Sequence, residues 1–188
     1  LAVINARNVW IDANFFDSRD NGSETPNVGA MLDIEPNRNE DIVEDITITN
    51  NVFQMDGPLS FQAILAQGLT GSGAKGLKIL NNVIVSGKFM NGGSGEGPGQ
   101  LNNAILAYGW EDVYIAGNTI RGAYSGPMHL RFNRDMHVSD NDLILGATGL
   151  SIDSTISVQS CSDSTISHNR LHQTTLPGIS GLPAGIYE

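Results

Sequence analysis

The segment KGLKILNNVI, residues 75–84, decides the fold. Leu77 and Ile79 flank Lys78, which makes one face apolar and the other polar, the pattern of a half-buried strand. Asn82 interrupts the alternation and Ile84 resumes it. The frame is apolar, any, apolar, two residues, Asn, any, apolar. It recurs on both sides: RNVWIDANFF (7–16) and EDITITNNVF (44–53) come before, and EDVYIAGNTI (111–120), RDMHVSDNDL (134–143) and SDSTISHNRL (162–171) after. The Asn column is Asn14, Asn51, Asn82, Asn118, Asn141 and Asn169, at steps of 37, 31, 36, 23 and 28 residues. A fixed frame at unequal spacing describes a constant core joined by loops of different length.

Three inward columns follow. Val9, Ile46, Leu77, Val113 and Met136 form the first, which Ser164 breaks; Ile11, Ile48, Ile79, Ile115, Val138 and Ile166 form the second. Phe16, Phe53, Ile84, Ile120, Leu143 and Leu171 form the third, beyond the Asn. Two strands therefore meet at a tight corner holding the Asn, a residue that tolerates the left-handed backbone such a corner needs. Stacked Asn side chains can also hydrogen-bond along the stack. A further strand precedes each frame: LAVIN, AMLDIEP, QAILAQG, NAILAYG, MHLRFN and TISVQS, with AGIY opening a seventh turn. Its inward residue lies six positions ahead of the frame at Val3, Ala107, Leu130 and Val158, and further ahead at Ile34 and Ala66. Three short parallel strands close each turn, and parallel crossovers are nearly always right-handed. The expected fold is all-β: a right-handed, single-stranded parallel β-helix of about six to seven coils, one domain over residues 1–188. A leucine-rich repeat would show an L-x-x-L-x-L frame, and a β-sandwich would not repeat one Asn-cornered motif.

Composition narrows the partners. The formal net charge is −10, and eleven of the twenty acids lie in the first 60 residues against three basic ones. Such a surface repels nucleic acid and anionic membranes, so neither is expected as a partner. No apolar run approaches the ~18 residues of a membrane span. The chain starts at Leu1, with neither Met nor a secretory signal, and so reads as a fragment or processed part of a longer chain. The single cysteine, Cys161, excludes an internal disulfide and a zinc site.

This Asn-cornered repeat resembles the pectate-lyase-like right-handed β-helix superfamily, which includes polysaccharide lyases, polygalacturonase-like hydrolases and phage tailspike depolymerases. GAMLDIEPN (29–37) is similar to a G-x-D-x-E-P-N signature of bacterial and phage β-helix proteins associated with polysaccharides. The resemblance implies a polysaccharide partner, an extracellular location or a virion tail, and a homotrimer if the chain comes from a tailspike. It also implies that the first strand of each turn and its adjoining loops form the substrate groove. Some lyases of this class use calcium, but no acidic repeat marks a calcium site here, and no metal or other cofactor is expected.

The outward residues of that first strand form two columns: Ile4, Glu35, Gln67, Tyr108, Arg131 and Gln159, and Ala2, Asp33, Leu65, Leu106, His129 and Ser157. Asp33 and Glu35 share a face roughly 7 Å apart along the strand, within the range of an acid and base flanking a glycosidic bond. Neighbouring carboxyls also split their pKa values, which keeps one protonated as the acid. The plain alternative is a pair of solvated surface acids. Tyr108, His129 and Arg131 form a second cluster. Tyr108 or His129 would be the base of an eliminating lyase, with Arg131 neutralising a uronate carboxylate, or Arg131 would hold the sugar by bidentate hydrogen bonds. The alternative is a surface ladder of long side chains. Gln67, Gln159 and Trp110 are expected to contact sugar, with packing at the bend the competing role for Trp110. The Gly-rich segment 87–103 lacks a phosphate-loop pattern and reads as a groove wall or a plain loop. The expected activity is degradation of an extracellular or capsular polysaccharide by glycosidic hydrolysis. The alternatives are a lyase using Tyr108, His129 and Arg131, and a non-catalytic module of a tailspike or adhesin.

Overall fold

The computed structural model describes residues 1–17, 28–38, 40–55, 60–68, 73–85, 103–122, 127–146 and 156–174. Among them there are strands and no helix. The first sheet contains β1 (Ala2–Val3), β4 (Val28–Ile34), β7 (Ser60–Gln67), β10 (Asn103–Tyr108), β13 (Met128–Arg131) and β16 (Ile156–Gln159). The second contains β2 (Ala6–Asp12), β5 (Val43–Thr49), β8 (Lys75–Leu80), β11 (Glu111–Ala116), β14 (Arg134–Ser139) and β17 (Ser162–Ser167). The third contains β3 (Phe15–Asp17), β6 (Val52–Gln54), β9 (Val83–Val85), β12 (Thr119–Gly122), β15 (Asp142–Gly146) and β18 (Arg170–Thr174). Every pairing is parallel, and each strand pairs with those three before and after it in the chain. Each successive triplet of strands thus adds one layer to all three sheets, an architecture compatible with a parallel β-helix.

The apolar frame explains this stacking. Ile46, Leu77, Val113 and Met136 are buried, as are Ile48, Ile79, Ile115 and Val138, and Phe53, Ile84, Ile120 and Leu143. Each column stacks side chain on side chain in the strand register. Phe16 and Phe53 stack with ring centroids 4.6 Å apart, nearly parallel. The columns loosen at both ends of the described stack: Val3, Val9 and Phe16 are half-buried on the first layer, and Val158, Ile166 and Leu171 are exposed on the last. The expected seventh strand, 184–187, lies outside the described residues, as does the Gly-rich segment except Asn103.

The Asn ladder forms at the corner between the second and third strands of each triplet. The backbone N and Nδ2 of Asn51 both donate to Oδ1 of Asn82, and Asn82 donates in the same way to Asn118. The ladder runs from Asn14 to Asn169. From Asn51 onward each Nδ2 also reaches back to a carbonyl of the preceding layer, as Asn118 does to Ile79 at 2.8 Å. Asn51, Asn82, Asn118 and Asn141 are thereby buried without a lost hydrogen bond.

One expectation about this corner is corrected. The left-handed residue is not the ladder Asn but the one before it: Ala13, Asn50, Asn81, Gly117, Asp140 and His168, with φ between 54° and 67°. The ladder Asn has to aim its side chain along the stack, and the turn itself is made one position earlier. A second left-handed column lies near the start of the second strand at Asn8, Asp45, Gly76, Asp112, Asp135 and Asp163. Asn, Asp and Gly occupy all of it because they tolerate that conformation at least cost. There the register skips one residue on each strand, so Glu111 pairs with Arg134 and Val113 with Met136.

Candidate functional site

The outer face of the first sheet carries the candidate site. Its register aligns Ala2, Asp33, Leu65, Leu106, His129 and Ser157 across the six strands, in the order the sequence implied. Gln67, Tyr108, Arg131 and Gln159 align in the adjacent column. Glu35 follows β4, and its backbone N–H donates to the Val3 carbonyl at 3.1 Å, so it continues this column towards Ile4. Alternation puts Leu32, Ile34, Ala66, Ala107 and Leu130 in the core and turns their neighbours outward.

Two groupings result. Asp33 and Glu35 stand together at one end, and Tyr108, His129 and Arg131 at the other. β4 and β13 are three strands apart, so roughly 14 Å separates the groupings at the usual interstrand spacing. The structure does not bring all five residues to one point.

The side chains of this face are half-buried rather than freely solvated. Burial raises the Asp33 carboxyl above its ordinary 3.8, opposed by the positive charge of the Leu1 amino group. Burial also raises Glu35 above its ordinary 4.5, and the charge of Asp33 adds to the rise. Burial lowers His129 below its ordinary 6.5, helped by the positive charge of Arg131. Asp33 Oδ1 and Arg131 Nε are buried and find no hydrogen-bond partner among the described residues. A buried acceptor and a buried donor without partners are costly unless something else meets them.

The outer face of the second sheet differs. Arg134 meets Glu111 at 2.7 Å and Arg7 meets Glu44 at 3.2 Å, all substantially exposed. The hydrogen bond from Arg134 is the main cause that lowers the Glu111 carboxyl. These are ordinary surface pairs that satisfy one another.

Of the two roles open to Trp110, sugar contact and packing at the bend, the structure shows packing: Trp110 is 1% exposed and lies in the core at the bend between β10 and β11. Its size takes it inward there, and its Nε1 is buried without a partner among the described residues. It is Trp10, at 72% exposure, that lies open, on the outside of the second sheet. Gln67 and Gln159 keep their expected places on the first-sheet face.

Phe132 was missed. It follows Arg131 at the bend after β13, has φ of 53° and is 49% exposed. Its ring meets that of Tyr108 edge-on at 5.3 Å, and the Arg131 guanidinium lies over it at 5.9 Å from the centroid. The signal was present in the sequence: the corresponding residues of adjacent layers are Gly109 and Ser160, so a Phe in that column is out of character.

Among the described residues no cluster of three or more His, Cys, Asp or Glu is arranged to hold a metal ion. Compared with models of known protein families, with curated proteins and with solved structures, the chain matches none.

Proposed function

We propose that this chain is part of a right-handed parallel β-helix of about six to seven coils that degrades an extracellular or capsular polysaccharide by glycosidic hydrolysis. The observation that carries the reading is the pairing of Asp33 and Glu35 on one half-buried face, both carboxyls raised by burial and Glu35 further by Asp33. Glu35, raised by both effects, is the general acid that protonates the leaving glycosidic oxygen. Asp33, once ionised, activates a water on the opposite side of the sugar. Two residues along a strand span roughly 7 Å, which leaves room for that water and favours inversion. Gln67, Tyr108, Arg131 and Gln159 hold the linear chain on the layers beyond. The setting is outside the cell or on a virion tail, and a tailspike origin would make the assembly a homotrimer.

A second reading rests on His129. Burial and Arg131 both favour its neutral form, which keeps a lone pair available at neutral pH for abstracting a proton. With Arg131 on the carboxylate of a uronate, that grouping would perform β-elimination.

The experiment is an assay of Glu35→Gln, Asp33→Asn and Arg131→Ala on a panel of capsular and plant polysaccharides, reading new reducing ends and the absorbance of unsaturated uronates. Hydrolysis lost in Glu35→Gln and Asp33→Asn, without unsaturated product, supports the hydrolase. Unsaturated product lost only in Arg131→Ala replaces it with the lyase. If the wild-type chain cuts nothing, the enzyme reading is wrong and a structural or binding module takes its place.

A further inference from the structure

We propose that Phe132 is a sugar-stacking platform, with Tyr108 and Arg131 as its walls, that holds one pyranose ring of a linear saccharide at the far end of the face from Asp33 and Glu35. This rests on the polysaccharide reading above and adds to it a residue that the reading does not use.

A bulky residue at φ of 53° is an outlier, because its Cβ crowds the backbone where Gly, Asn or Asp would not. The layer before has Gly109 at this bend, with φ of 73°, and the layer after has Ser160, with φ of 54°. The chain therefore makes the same turn nearby without an aromatic ring. Strain that the local fold does not require points to a use for the side chain.

The ring does not serve the core. It is half exposed, while Leu130 and Asn133 on either side are buried. Its ring contacts are Tyr108, steeply inclined to it, and the guanidinium of Arg131. Gly68 and Gly109 occupy the corresponding bends of the two preceding layers and place no side chain beside the ring. A Cβ on Gly68 would come within 2.4 Å of the Gly109 carbonyl, so that neighbourhood is held clear by close backbone packing.

The result is a half-exposed aromatic ring with a phenol beside it and a cation over one face. Arg131 Nε is buried without a partner among the described residues, and its half-buried guanidinium turns towards the Phe132 ring, where its Nη groups can reach a ligand oxygen. A pyranose fits this chemistry: its C–H face packs on the electron-rich ring, and its rim of hydroxyls or a carboxylate accepts from Arg131. Tyr108 and Gln67 extend the polar column towards Asp33 and Glu35, so the next sugars of the chain lead to the carboxyl pair.

The test separates binding from stability. Phe132→Asn places a residue at ease with this φ, and Phe132→Trp keeps an aromatic face. Binding of the polysaccharide panel is measured by affinity electrophoresis, and thermal midpoints are recorded for each variant. The expected result is that Phe132→Asn melts at or above the wild-type midpoint and binds saccharide at least fivefold more weakly, while Phe132→Trp binds within about twofold of wild type. Wild-type binding by Phe132→Asn would overturn the platform and leave the polysaccharide reading standing. A lowered midpoint with weakened binding would make Phe132 a structural residue and also overturn it. A wild-type chain that retains no polysaccharide would end both.

Discussion

Each layer turns two equivalent bends, and they are built differently. Between the second and third strands the inward corner residue is Asn in all six layers. Between the first and second strands the matching residue is Ala6, Val43, Ala74, Trp110, Asn133 or Cys161. The variable corner uses the ladder chemistry only in places. Asn133 Oδ1 accepts from the Trp110 backbone N–H at 3.0 Å, and Cys161 Sγ accepts from that of Asn133 at 3.4 Å. Cys161 continues the run in thiol form, its Sγ also donating to the Leu130 carbonyl at 3.6 Å, whereas Trp110 ends it because an indole donates but cannot accept. A corner whose every member is bonded above and below cannot change one residue without stranding its neighbours. A corner that satisfies itself layer by layer is free to vary. The candidate site adjoins the second kind.

The comparison is broken most directly by removing one Asn from each corner. Asn118→Ala removes the acceptor of the Asn82 backbone N–H and of one Nδ2 hydrogen of Asn82, and the donor to the Ile79 carbonyl, in the buried interior, while Asn141 Oδ1 keeps the residue 118 backbone N–H. With roughly 1–3 kcal/mol for each stranded group and partial relaxation, the loss should be about 4 kcal/mol or more. Asn133→Ala strands the Trp110 N–H and the Ala107 carbonyl, and should cost about 2 kcal/mol. Denaturant unfolding of both variants checks this. Equal losses would mean that the ladder is no more cooperative than an isolated corner Asn.

The core between the corners should grade from the middle to the end of the stack. Ile115 is fully buried, whereas Ile166, in the same column, is 47% exposed on the last strand. Ile115→Ala should therefore destabilise by about 2–5 kcal/mol, and Ile166→Ala by less than about 1 kcal/mol. An equal, large cost at both would show that Ile166 is covered in solution by something beyond β17.

The face beside the variable corner should reveal itself in the pH dependence of stability. The folded-state pKa values of Asp33 and Glu35 are raised, so the folded state binds their protons more tightly than the unfolded state does. Their contribution is fully present below the ordinary values of 3.8 and 4.5, and is lost as pH rises through the folded values. His129 acts in the opposite sense: its folded value is lowered, so its contribution is present above 6.5 and lost as pH falls through the folded value. Asp33→Asn should raise the thermal midpoint at neutral pH relative to wild type, with the advantage shrinking towards pH 4, while His129→Gln should help only on the acid side. Thermal melts from pH 4 to 8 measure both. A lowered midpoint for Asp33→Asn at pH 7 would mean that Asp33 holds the fold rather than opening it.

The difference between the corners also explains what could be read from the sequence. The Asn column, the three apolar columns and the register of the first sheet were legible because each is stated six times, and a repeated statement survives one exception such as Ser164. Asp33 and Glu35, and Tyr108 and Arg131, fell where the register placed them, since strand alternation carries outward residues along with inward ones. Trp110 and Phe132 were not legible in this way. Each occurs once, at the variable corner, where no column averages over neighbours and the direction of a side chain depends on local backbone angles. The second left-handed column was visible as Asn8, Asp45, Gly76, Asp112, Asp135 and Asp163, always the residue before the first apolar position of the frame. Asp and Asn on an acidic chain look like ordinary surface residues, which hides such a column.

The smallest expected effect sharpens the account of the constant corner. The turn is made by the residue before the ladder Asn, so the conformational demand falls on Ala13, Asn50, Asn81, Gly117, Asp140 and His168 and not on the ladder itself. Ala13 carries a φ of 55° and has no side-chain polar group to offset the crowding of its Cβ. Relief of that crowding is worth about 1–2 kcal/mol, and a new glycine gives back about 0.4–1 kcal/mol through the greater freedom of the unfolded chain. Ala13→Gly should therefore stabilise by roughly 0.5 kcal/mol, a rise of about 1–2 °C in the thermal midpoint for a chain of this size. Asn50 has the same φ of 55°, but it tolerates the conformation better and its Nδ2 donates to Asp12 Oδ1 at 2.9 Å. Asn50→Gly should gain nothing and lose that exposed bond. If Ala13→Gly destabilises while Asn50→Gly is neutral, the strain at the corner is carried elsewhere, and the ladder Asn itself becomes the place to look for it.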